Sequence, residues 1–186
     1  MTDPSDFSHP IALSRDCQAI LIPEGTRVIL NTKEEVWVTQ ALGGSVSVNV
    51  NGNLARISAE NLDALGMESE DRSVELDNPN DDGSVDIEMV WEQLSTCYDP
   101  EIPINIVELG LIYRCEVTAQ SHGNRIEIDM TLTAPGCGMG PFLVEDVRAK
   151  IGEIPNVSDV DVELVFDPPW NPEMMSEAAR LQTGLL

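Results

Sequence analysis

The sequence predicts an α+β protein in which a small all-β module is joined by an acidic linker to a domain with a three-stranded sheet and packed helices. Three observations carry this. Strand-period alternation recurs through residues 11–66, acidity gathers without any apolar period over 67–84, and helical and strand periods alternate over 85–186. Hydrophobic residues make up 42% of the chain, enough for a core, and aromatics at 4% leave the packing mainly to Val, Ile, Leu, Met and Ala.

In the first module, Pro23-Glu24-Gly25-Thr26 reads as a turn before the apolar run Val28-Ile29-Leu30. Val36-Trp37-Val38-Thr39 is rich in β-branched and aromatic residues, as strands are. After Gly43-Gly44, Val46, Val48 and Val50 alternate with Ser47 and Asn49. Asn51-Gly52 is a favoured pair for a two-residue hairpin, because both positions need positive φ, and Leu54–Ile57 is the returning strand. Cys17 lies in a stretch without a readable period.

The second module begins near Val85. Ile87, Val90, Leu94 and Cys97 mark one face of a helix, with Ser84 as its N-cap, and Pro100 and Pro103 end it. Leu111, Tyr113, Cys115 and Val117 alternate as a strand, and His122-Gly123-Asn124 turns into Ile126, Ile128, Met130 and Leu132. Pro141 opens a helix along Leu143, Val147 and Ile151, and Val160, Val162, Leu164 and Phe166 form a third strand. Asn171-Pro172-Glu173 caps a last short helix, which packs through Met174, Ala178 and Leu181. Trp37 and Trp91 read as core residues.

The formal charge is −23. Residues 1–66 carry 8 acids against 4 bases, residues 67–92 carry 10 against 1, and residues 93–186 carry 15 against 5. Such a surface repels phosphate backbones and anionic lipid, which argues against nucleic-acid and membrane partners. No run reaches the length of a membrane span and the first residues lack a signal-peptide pattern, so the sequence reads as cytoplasmic. The four cysteines, at 17, 97, 115 and 137, form no CxxC pair, which fits neither a disulfide framework nor a preformed zinc site with His9 or His122.

Chemistry concentrates in Thr131–Pro141, where three glycines and two prolines join a strand to a helix around Cys137. Glycines let the backbone approach a ligand, and prolines hold the loop's shape. A thiol just ahead of a helix is expected to be stabilised as thiolate, the form that ligates iron or attacks an electrophile. The bland alternative is a small buried filler. Cys17, Cys97 and Cys115 read as structural. The second cluster is Asp99–Leu111, where Asp99 and Glu101 flank a proline and could join the thiol in a labile iron site, or raise its pKa where no metal is present. Alternatively Asp99 binds turn amides, while Glu101 and Glu108 face water. Three prolines in Asp167–Pro172 present Trp170 to the cysteine loop, to a partner, or to the last helix.

The stretch Asp99–Tyr113, the loop Thr131–Met139 and Asp167–Trp170 together resemble the metal–sulfur cluster biosynthesis domain of the PaaD-like proteins and the cytosolic iron–sulfur adaptors. Pro23–Thr26, Thr39–Gly44, Asn51–Asn53 and Arg56-Ile57 are similar to the SUF-system accessory proteins that carry this domain at their C-terminal end. The resemblance implies a role in iron–sulfur cluster assembly and protein maturation, without catalysis of a metabolic reaction. It places the family's reactive cysteine on Cys137 and neighbouring functional positions on Asp99, Glu101 and Thr133, with no departure in these motifs. Pro135, Gly136, Gly138 and Asn105 support them.

A single thiolate cannot complete a cluster's usual shell, so transient rather than tight holding of iron or a cluster is expected. A second subunit in a homodimer, an assembly protein or an apo client enzyme would supply the rest. A metal-free adaptor that binds apo-enzymes or the SUF scaffold is the alternative. A thiol-dependent enzyme is weakened by the lack of a nearby resolving cysteine or base.

Overall fold

The computed structural model describes residues 9–68 and 82–185, so most of the expected acidic linker lies outside the described residues. The chain divides into two units, residues 1–74 and 75–186, each with its own core.

The first unit is a six-stranded sheet of β1 (Ile11–Ala12), β2 (Cys17–Ile22), β3 (Arg27–Leu30), β4 (Glu35–Leu42), β5 (Ser45–Val50) and β6 (Asn53–Ile57). Its order is β1-β4-β5-β6-β2-β3, and every pairing is antiparallel. The hairpin at Asn51-Gly52 has φ of 52° and 86°, as its residues dictate. Val36, Val38, Val46, Val48 and Val50 line one face under Leu62, Ala64 and Leu65 of a 3-10 stretch, Ala59–Leu65. Cys17 opens β2 at 2% exposure and is buried with Ala19 and Ile22 of the same strand. Trp37 is no core residue. Strand alternation puts it opposite Val36 and Val38, and it is 47% exposed.

The second unit begins with α1 (Ile87–Leu94). Its N-cap is Asp86, whose carboxylate accepts the Glu88 amide at 2.9 Å, and not Ser84, whose amide is itself bound by Asp82. Val90, Leu94 and Cys97 are buried as expected, but Ile87 and Trp91 are 43% and 39% exposed. Ile87 sits in the first turn, and Trp91 lies about 100° round the helix from Val90, so neither joins the core.

Strands β7 (Ile112–Gln120), β8 (Gly123–Met130) and β9 (Val157–Leu164) form a sheet in that order. β7 and β8 are an antiparallel hairpin, while β9 runs parallel to β8. Parallel pairing needs a crossover, which α2 (Gly140–Gly152) supplies. Its Leu143, Val147 and Ile151 pack with Ile126, Ile128 and Met130 in one core. Phe166 is past the end of β9 and 45% exposed, because pairing closes where the Val165 amide meets the Met130 carbonyl.

The C-terminal segment is not one helix. A 3-10 turn, Pro172–Met174, is capped by Asn171; Met175 is extended, and α3 (Glu177–Thr183) restarts behind the N-cap Ser176. The break turns a different face inward. Met175 and Ala179 are buried, whereas Ala178 is exposed and Leu181 is 68% exposed.

Candidate functional site

The parallel pair β8/β9 has both its carboxyl ends at one edge of the sheet, where open α/β sheets bind ligands. The loop Thr131–Met139 leaves β8 there. Its two ends are pinned: the Thr131 amide donates to the Leu111 carbonyl at 2.8 Å, and the Gly140 amide donates to the Cys137 carbonyl at 3.2 Å. Gly140 packs closely on Leu132: a Cβ there would lie 2.7 Å from Leu132 Cδ1, and that side chain would have to shift. Gly136 needs glycine for its φ of +85°, with open space around it. Ala134, Pro135, Gly136 and Gly138 are exposed, and Cys137 is half-buried against the domain core.

Asp99 stands beside this loop, 4% exposed. One of its carboxylate oxygens accepts the amides of Glu101 and Ile102, each at 2.9 Å, and the other faces the Thr133 hydroxyl at 3.5 Å. The turn-binding and site-building readings of Asp99 therefore describe the same residue. Glu101 is exposed. The Asn105 side-chain oxygen accepts the Glu108 amide at 2.9 Å and braces the 99–111 turn.

Burial is the main influence on the Cys137 thiol and pushes its pKa up. A hydrogen bond with the Met139 backbone opposes this, while the charges of Glu101 and then Asp99 add to it. The net direction is upward, the second of the two outcomes the sequence left open, rather than a helix-stabilised thiolate. Burial first, and then the two carboxylates, outweigh the hydrogen bond from the start of α2. Among the described residues, no group of three or more His, Cys, Asp or Glu is arranged to hold a metal ion. The loop thus offers fewer donors than an iron shell requires. Of the other cysteines, Cys17 and Cys97 are buried, and Cys115 is half-buried with its thiol pushed up to about 11, first by burial and then by Glu116.

Trp170 does not cap the cysteine loop in the hydrogen bonds it makes. Its indole N–H donates to the Leu109 carbonyl at 2.8 Å. The Tyr113 hydroxyl donates to the Pro168 carbonyl at 2.9 Å, and the Ser176 amide donates to the Glu108 carbonyl at 2.9 Å. The Ser176 hydroxyl also donates to the Glu108 carboxylate, so Glu108 does not simply face water. Gly110 completes the clasp, with φ of +69° and a Cβ position only 2.1 Å from the Met174 carbonyl oxygen. Sequence reasoning missed this arrangement. Ser176 ahead of Glu177 signals a helix start, but nothing in the spacing points to a partner 68 positions away.

The model of a family described as "Iron-sulfur cluster assembly protein" matches residues 87–164, which include Asp99, Glu101, Thr133 and Cys137. The chain is 46% identical over 99 residues to the Fe-S protein maturation auxiliary factor of Porphyromonas gingivalis, covering 53% of this chain and 91% of that protein. It is 41% identical over 87 residues to the auxiliary factor SufT of Staphylococcus aureus, covering 47% and 96% respectively. With the auxiliary factor YitW of Bacillus subtilis it shares 34% identity over 98 residues, covering 53% and 93%. No helix among the described residues is long and apolar enough to cross a membrane.

Proposed function

The chain belongs to the family of Fe-S protein maturation auxiliary factors, and from that premise we propose that Cys137 holds iron or an iron–sulfur cluster transiently as cargo. The observation that supports this best is the gathering of Cys137, Asp99, Glu101 and Thr133 at the carboxyl ends of β8 and β9. A metal ligand must give up its proton, and here burial and two carboxylates oppose that loss. A cation brought to the same spot reverses the balance, because it is attracted by both carboxylates and by the thiolate. Holding is therefore weak until cargo arrives and easily undone afterwards, as delivery requires. The remaining ligands come from a second subunit, an assembly protein or an apo client enzyme. This reading gives the chain no metabolic reaction of its own.

The test is an iron-limited deletion strain in which a resident iron–sulfur enzyme is assayed. Wild type and Cys137→Ser are returned and must accumulate equally. Rescue by wild type alone supports cargo holding through the thiol. Rescue by both supports the metal-free adaptor. A thiol-dependent enzyme fits less well, since the thiol is driven towards its protonated form. The exposed His122 also lies beyond the opposite end of β8 from the loop.

A further inference from the structure

Among the described residues, strand β9 is an edge of its sheet, paired only with β8. A groove runs along that edge beside α2, walled by Pro141, Val144, Glu145 and Arg148 on the helix side and by residues 161–164 on the strand side. Residues from both sheet faces line it: Val162 and Leu164 from the face turned towards the core, Asp161 and Glu163 from the other. A groove of this kind exposes strand backbone together with an apolar wall. Arg148 shows that the edge accepts donors from outside the sheet, because its Nε donates to the Val160 carbonyl at 3.3 Å.

The groove leads to the cysteine loop. Pro141 follows Gly140, whose amide binds the Cys137 carbonyl and whose Cβ position lies 3.4 Å from Leu164 Cδ1. We infer that this groove takes an extended, basic segment of a client or assembly protein, added to β9 as a further strand and directed towards Cys137. The inference rests on the maturation reading above.

Charge selects the occupant. Glu145, Asp161 and Glu163 line the groove with Arg148. Arg125 of β8 pairs with Asp161 at 2.5 Å and with Asp159 at 3.0 Å, so Glu145 and Glu163 are the acids that set the groove's charge. A second copy of this chain pairing by the same edge would set these carboxylates against their own counterparts, which is unfavourable. An alternating segment with lysine or arginine towards the acids and apolar side chains towards Val144, Val162 and Leu164 satisfies both features. Backbone pairing supplies affinity, and the alternate side chains supply selectivity.

The experiment uses the full chain and a short synthetic peptide in which lysine and valine alternate. A second peptide of the same sequence carries N-methyl groups on the amides of one edge, which keeps the charge but removes the strand donors. Binding is read by fluorescence anisotropy, and the contact surface by amide shift changes in an NMR spectrum. The expected result is binding with shifts centred on β9 and α2, weakened roughly tenfold or more by N-methylation. Glu145→Lys/Glu163→Lys should weaken it similarly, with the circular dichroism spectrum unchanged. Equal binding of the N-methylated peptide, shifts elsewhere, or indifference to the double substitution would overturn the proposal. Peptide binding should survive Cys137→Ser. Loss of the groove result with Cys137-dependent rescue intact overturns the groove alone, and the reverse pattern overturns the cargo reading alone.

Discussion

Trp170 reaches back 61 positions to donate its indole N–H to the carbonyl of Leu109 at 2.8 Å. This bond ties the proline-rich end of the domain to the turn that carries Asp99 and Glu101. Trp170→Phe keeps most of the apolar ring but leaves that carbonyl without its partner. It should cost about 1 kcal/mol of stability, read as a lower denaturant midpoint. Amide exchange over residues 99–110 should rise at the same time. Unchanged exchange there would mean that the clasp does not brace the turn.

Two glycines with positive φ should respond differently to alanine. At Gly136, with φ of +85° and open space, the cost is backbone strain alone, about 1 kcal/mol. At Gly110 the same strain is joined by a Cβ 2.1 Å from a backbone carbonyl oxygen, so Gly110→Ala should cost at least about 2 kcal/mol. Thermal unfolding of the two variants side by side decides it, and equal losses would contradict the close approach.

Alkylation reports the state of the Cys137 thiol. Burial, with Glu101 and Asp99, holds its pKa above the ordinary thiol value, so iodoacetamide should modify it slowly at neutral pH and faster as pH rises. Glu101→Gln removes one opposing charge. It should shift the alkylation profile to lower pH and leave the fold unchanged. A profile shifted upward by that substitution would rule out the carboxylate's role.

The alkaline limb of stability should carry a contribution from Cys115. Its pKa is about 11 in the folded chain against the ordinary 9.0, so below pH 9 its contribution is fully present. Between about 9 and 11 the unfolded chain releases the proton and the folded chain does not, so stability falls as pH rises. Two pH units correspond to about 2.7 kcal/mol, reduced to roughly 1–2 kcal/mol because solvent reaches the thiol in part. Cys115→Val should flatten this decline relative to wild type in urea titrations across that range.

Much of the fold was legible in the sequence because its signals are local. Val46, Val48 and Val50 alternate, Asn51-Gly52 demands its turn, and Leu143, Val147 and Ile151 repeat at a helical period. The cysteine loop was legible for a similar reason, since glycines and prolines crowd round one thiol. What failed depended on neighbours distant in sequence. Trp37 and Trp91 are apolar enough for a core, yet among the described residues neither belongs to a hydrophobic cluster. At Cys137 the sequence left a helix start and two carboxylates pulling the thiol in opposite directions, and burial in the folded chain tips it upward. The Glu108–Ser176 contact joins segments whose meeting only the folded chain reveals.

Anchorage at both ends of the Thr131–Met139 loop restricts how far Cys137 can travel. Strand β8 and the Leu111 carbonyl hold one end, while close packing of Gly140 on Leu132 holds the other. Glycine at 136 and 138 lets the thiol pivot, but the tether is too short for it to swing out as a carrier arm. Under the cargo reading proposed above, transfer to or from this sulfur is then brought about by the visiting molecule, whose own acceptor atoms come to an anchored thiol.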